Sequence, residues 1–144
     1  MKTLNRMLVF ALVGSLMSSV ALAEVAVIVH PKNPVQSLSH KQVQKLFLGR
    51  ALMFPSTETK VYSIDQSEES PVFSHFYEKV IQMNINKLKK YRAYYLFSGK
   101  GRLPLPLESS NEVIDRVANN INAISYVNLN EVNSEQVKVV FTMP

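Results

Sequence analysis

The spacing of apolar and polar positions changes along the 144-residue chain, and each spacing predicts an element. Val25 to Val29 is a continuous apolar run, the pattern of a strand buried on both faces. His30-Pro31-Lys32-Asn33-Pro34 ends it, because proline cannot donate to a ladder. Ser39 opens a helix: its hydroxyl can cap, Gln42 can complete a capping box, and Leu38 can staple onto Val43. Val43, Leu46 and Phe47 form the buried stripe, and Gly49 stops the helix. Lys60 to Ile64 predicts a second strand, with a polar loop from Ile64 to Ser70. Ser70 caps a second helix with Pro71 at its first position. Val72/Phe73, Phe76/Tyr77 and Val80/Ile81 then recur every four residues on one face.

Lys87 to Phe97 predicts a third helix with Leu88, Tyr91 and Tyr95 on its inner side. Ser98 to Gly101 is a loop, and Pro104 and Pro106 keep the following stretch extended. Ser109 to Glu112 has the form of another capping box, and Val113, Val117 and Ile121 continue that helix inward. Ala123 to Val127 and Val137 to Phe141 are the last strands. Alternating strands and helices predict an α/β fold, a three-layer sandwich with a mainly parallel sheet flanked by helices. No internal repeat, low-complexity tract or linker divides the chain.

The N-terminus changes the composition. Met1 to Arg6 is short and basic, Met7 to Val20 is apolar, and Ala21-Leu22-Ala23 is a small-x-small site. This is the layout of a cleavable secretory signal peptide over residues 1–23; the competing membrane-span reading needs a longer apolar run. A single domain then covers residues 24–144, with no stable membrane span after cleavage. The net charge of +5 falls to +3 once Lys2 and Arg6 leave, so much of the basicity is targeting. The absence of cysteine rules out a disulfide framework, a thiol nucleophile, a Cys-based zinc site and a lipoprotein anchor. Export without cysteine suits a bacterial periplasm and argues against a nucleic-acid partner.

Catalytic patterns are weak. None of His30, His40 and His75 stands in a zincin-type spacing, and no nucleophile elbow, phosphate loop or dinucleotide fingerprint occurs. His75 and Glu78 lie one helical turn apart, but two ligands on one helix are not a metal site. The expectation is a non-enzyme with no cofactor and no metal. Lys87 to Tyr95 interleaves basic and aromatic residues, which reads as a helix with a solvated basic face and an aromatic inner face. A lesser reading of it is docking to anionic lipid or an acidic partner. Asp65 to Val72 leaves a strand and enters a helix, where open α/β sheets bind ligands and helix N–H groups suit anions. Glu68 and Glu69 can occupy that positive helix end themselves.

Four pieces in order resemble the phosphate-binding components of ABC transporters, with the type 2 periplasmic-binding-protein fold. They are Val29 to Pro34, Leu46-Phe47-Leu48-Gly49-Arg50, Phe97 to Arg102, and Asn122-Ala123-Ile124-Ser125-Tyr126-Val127. The resemblance spans nearly all of residues 24–144 and implies one lobe, the second, of a two-lobed fold. The family's ligand motif is R-x-x-x-S-G-T with Phe six residues after the Ser. Ser70 falls on that Ser and Phe76 on the Phe, while Gln66, Pro71 and Val72 stand where Arg, Gly and Thr would be. The resemblance therefore implies a degenerate oxyanion site whose contact residues are Gln66, Ser67, Ser70, Pro71 and Val72.

Two function classes follow. One is a solute-binding lobe for phosphate or another small oxyanion, completed by a homodimer partner or an envelope protein. The other is a periplasmic protein-interaction or adaptor module that reuses the lobe without a small ligand.

Overall fold

The computed structural model describes residues 23–144, so the signal-peptide segment 1–22 lies outside the described residues. β1 (Val25–Val29) starts the fold as the apolar run predicts, with all five residues buried. α1 (His40–Phe47) follows, with the Ser39–Gln42 capping box present and Val43, Leu46 and Phe47 inward. β2 (Tyr62–Gln66), α2 (Pro71–Phe76) and a π-helical turn (Tyr77–Ile81) come next. α3 (Ile85–Phe97), β3 (Leu105–Leu107), α4 (Ser110–Ala118), β4 (Ala123–Asn128) and β5 (Lys138–Met143) complete the order.

The five strands form one mixed sheet in the order β3-β2-β4-β1-β5. β2 runs parallel to β3 and β4, and β1 runs antiparallel to β4 and β5. Four strands thus point one way and only β1 is reversed. The alternation of side chains splits the core into two layers. Val25, Val27 and Val29 face a cluster with Phe47, Phe73, Phe76, Tyr77 and Tyr126, roofed by α1, α2 and α3. Ile28 faces the opposite cluster with Ile64, Val113, Val117 and Val127, roofed by α4. This is the three-layer α/β sandwich that the alternation predicts.

Several boundaries differ from the sequence pattern. β2 begins at Tyr62, not Lys60, and runs on through Asp65 and Gln66, which are buried strand residues rather than loop. α3 starts two residues early, where the Asn84 side chain accepts the Lys87 N–H as its cap. α4 ends at Ala118, so Ile121 lies beyond it, 43% exposed, and Ile114 takes its place inside. The Ser109 cap forms, but the Glu112 carboxylate accepts from the Glu108 N–H instead of closing a box. The stretch 77–81 keeps its apolar face as a π-turn, with Tyr77, Val80 and Ile81 all buried. His40 and Gln44 of α1 hold this turn by hydrogen bonds to the Val80 carbonyl.

The two glycines beside α3 decide how α3 packs on α1. Gly49 has φ +71° and Gly101 has φ +144°, and the Tyr95 hydroxyl lies 2.7 Å from the carbonyls of both Gly49 and Lys100. A Cβ on Gly49 would stand 2.5 Å from that hydroxyl. Gly49→Ala therefore combines left-handed strain with a clash and is expected to cost ~2 kcal/mol. Urea unfolding measures the cost, and adding Tyr95→Phe in the same chain should recover only the hydroxyl's share of the clash, because the ring Cζ would still lie 2.8 Å from the new Cβ.

Candidate functional site

The carboxyl ends of β2, β3 and β4 meet at one edge of the sheet, where ligands bind in open α/β folds. Asp65, the penultimate residue of β2, turns its carboxylate toward the aromatic layer and is 1% exposed. Its Oδ1 accepts from the Tyr126 hydroxyl and, at 3.1 Å, from the Gln66 N–H. Its Oδ2 accepts from Arg92 Nη2 at 2.6 Å and from the Tyr77 hydroxyl at 2.9 Å. These four donors match the four lone-pair sites of a carboxylate. Arg92 also donates to the Tyr77 hydroxyl at 2.7 Å and lies over the rings of Tyr77 and Phe73. Phe76 stacks on Tyr126 with ring centroids 3.7 Å apart, which closes the cluster from the other side.

The electrostatics follow from burial. Loss of water raises the Asp65 pKa above the ordinary aspartate value, against the opposing pull of Arg92 and the two tyrosine hydroxyls. Tyr77 and Tyr126 are pushed well above the ordinary tyrosine range, by burial first and by the Asp65 charge second. Arg92 is raised despite its own burial, because Tyr77 and Asp65 favour its charged form. The cluster is therefore a buried ion pair held by two neutral phenol donors.

The residues singled out by the ligand motif divide between interior and surface. The Gln66 side chain is buried, and its Nε2 donates to the Tyr126 carbonyl at 3.1 Å and to Ser110 Oγ at 3.3 Å. Ser110 donates onward to Glu131, which also accepts the Asn128 N–H. Val72 is buried in the aromatic core. Pro71 is exposed at the first position of α2, and Ser67 and Ser70 are partly exposed in the turn before it. The Ser70 hydroxyl makes no capping bond, and the Ser67 hydroxyl accepts the Glu69 N–H at 3.4 Å. Glu68 pairs with Lys89 on the surface at 3.6 Å rather than with the helix end.

The sequence pattern does not single out Asp65, Tyr77, Arg92 and Tyr126 as one unit. Arg92 reads as part of a solvated basic face, whereas its side chain is only 18% exposed. Two signals point inward. Tyr62 and Ile64 share one face of β2, so Asp65 must take the other, and Leu88, Arg92 and Tyr95 share the i, i+4, i+7 stripe of α3. Lys87, Lys89 and Lys90 are exposed, as a basic face requires. His75 is half-buried with an unpartnered Nε2, while Glu78 is exposed. Among the described residues no group of three potential metal ligands gathers, and no helix is long and apolar enough to cross a membrane.

The described residues adopt the fold of one lobe of a type 2 periplasmic-binding protein. No family model matches the sequence and no curated protein matches it, but solved structures match the fold. A phosphate ABC transporter substrate-binding protein from Clostridium perfringens, solved with bound phosphate, superposes with a TM-score of 0.64 at 17% identity. The match covers 82% of this chain and 45% of that one. An ABC-type phosphate transport receptor from Vibrio cholerae gives 0.65 at 17% identity over 82% and 46%, and PstS from Borrelia burgdorferi gives 0.61 at 15% over 82% and 47%. The chain spans about half the length of the structures it matches.

Arg92→Met leaves the Asp65 carboxylate buried without its cation and is expected to cost about 3–5 kcal/mol in urea unfolding. The double change Asp65→Asn with Arg92→Met removes both charges but keeps an oxygen acceptor among the Tyr77 and Tyr126 hydroxyls, and should be less destabilising than Arg92→Met alone.

A second expectation concerns alkali. Tyr77 and Tyr126 hold their protons in the folded state above the unfolded pKa of about 10, so their stability is complete below that pH. It falls as pH rises further, by up to about 1.4 kcal/mol per pH unit for each tyrosine. Absorbance titration should show two of the six tyrosines ionising only on unfolding.

Proposed function

We propose that this chain is an exported, non-enzymatic, solute-binding-like lobe related to the phosphate-binding components of ABC transporters, with a degenerate oxyanion site. One observation carries the reading: polar chemistry at the ligand edge is turned inward. Gln66, at the motif's arginine position, gives its amide to Tyr126 and Ser110, and Arg92 is neutralised by Asp65. A charge-assisted contact to an oxyanion is thereby lost. Ser70 and Ser67, with the Val72 N–H (Pro71 has none), are the contacts left for a small oxyanion. A single lobe is one wall of a cleft, and good sites bury most of a ligand. A second copy or an envelope protein would complete the wall in the periplasm, after removal of residues 1–23.

A second reading, a protein-interaction module, is favoured by the end of α3. Tyr94, Leu96 and Phe97 stand 71%, 57% and 93% exposed there.

Calorimetry separates the outcomes. The monomer is expected to bind phosphate weakly or not at all. Micromolar phosphate binding that is lost on Ser70→Ala would overturn the degenerate-site reading. Phosphate bound by a dimer, with ligand at its interface, supports the solute-binding class, and stable association through Phe97 without phosphate supports the interaction class.

A further inference from the structure

A cavity of about 520 Å³ opens between α1, β2 and the α3–β3 connection. It lies at the amino end of β2, beside Tyr62 and Ser63, whereas the oxyanion edge lies at the carboxyl end. Its size is within the range of small-molecule sites, about 300–1,000 Å³. Leu46, Leu52, Val61 and Leu103 make an apolar lining, and Lys60 and Arg102 supply two cations. Among the described residues no acidic side chain lines it. Neither Lys60 nor Arg102 forms a salt bridge among the described residues, and both are exposed.

The walls are built rather than incidental. One wall is a short hairpin-like segment, in which Met53 bridges Lys60, Phe54 N–H donates to the Thr59 carbonyl and Val61 N–H donates to the Leu52 carbonyl. The other carries Gly101 to Leu103, drawn against the end of α1 by the Tyr95 hydroxyl between Gly49 and Lys100. A Cβ on either Gly49 or Gly101 would collide with that hydroxyl, so both glycines permit the close approach. Tyr91 adds a third tie through its hydroxyl to the Leu48 carbonyl, 2.6 Å away. Leu52, 66% exposed, leaves apolar surface at the cavity for a ligand to cover.

We propose that this cavity binds a small amphipathic anion, with an apolar chain against Leu46, Val61 and Leu103 and a carboxylate or similar head group between Lys60 and Arg102. Charge complementarity selects the anion: two unpaired cations attract it and no lining carboxylate opposes it. The apolar lining selects the tail, because a bare inorganic anion would leave that surface wet. The site is independent of the phosphate reading, since it shares no residue with Gln66, Ser67, Ser70, Pro71 or Val72.

Dodecanoate, titrated into the purified protein by calorimetry below its micellar range, tests the assignment. Saturable one-to-one binding is expected, with dodecanol weaker and inorganic phosphate unable to compete. The double variant Lys60→Gln with Arg102→Gln should lose roughly tenfold in affinity, the weight of two exposed ion pairs. Ala51→Phe, which fills the cavity, should abolish binding while the far-ultraviolet spectrum and melting temperature stay unchanged. If Ala51→Phe disturbs the fold, Val61→Gln makes the lining polar and serves in its place. No saturable binding, equal affinity for dodecanol, indifference to the charge variant, or displacement by phosphate would each overturn the proposal. Binding to anionic vesicles without binding to monomeric dodecanoate would also overturn it.

Discussion

The Asp65 carboxylate is buried at the end of β2, and four donors must reach it. They come from different places in the chain: the next N–H of β2, the Tyr126 hydroxyl of β4, the Tyr77 hydroxyl of the π-turn and the guanidinium of α3. A charge in this position is costly unless each partner is in place. The position of α3 over the sheet, the inward turn of Tyr77 and the stacking of Phe76 on Tyr126 are all conditions of that burial. The aromatic layer around it excludes water, which strengthens every contact inside and raises the penalty for losing one.

The same interaction shapes the chemistry available at the surface. An arginine close to the carboxyl ends of parallel strands suits oxyanion binding, yet Arg92 is held by Asp65 and shielded by Phe73 and Tyr77. Gln66 is likewise committed, through Ser110 and Glu131, to joining β2, α4 and the turn after β4. The carboxyl end of the sheet is thus stable through its own internal bonds. At the other end of β2, Lys60 and Arg102 stand beside an apolar cavity without a carboxylate partner among the described residues. Free cations at one end and neutralised polar groups at the other make the two ends of this sheet chemically different.

Much of the fold was legible from local pattern. The apolar run 25–29, the Ser39–Gln42 box and the stripe Val43, Leu46, Phe47 reappear in the structure, because each depends on residues within one or two turns. The phosphate-receptor likeness was legible too, in four short pieces and their order, and the superpositions agree at the level of fold. Where the pattern erred, the cause was distant. Asp65 and Gln66 look like loop because they are polar, and they are strand because Tyr126, 61 and 60 residues on, satisfies them. Ile121 has the right spacing for α4 but lies past its end, in the turn before β4.

The sequence by itself determined most of the helices and strands, since capping, proline placement and apolar spacing act over a few residues; β3 and the end of β2 became strand only through partners elsewhere in the fold. It also determined the exclusions that rest on composition, above all those that need cysteine. Only the tertiary structure decided the reversed strand β1 and the pairing of Asp65 with Arg92. It alone decided which cations remain free. The reason is physical: the energy of a buried charge depends on donors and water exclusion supplied by other elements, and residue order along the chain does not specify those distances.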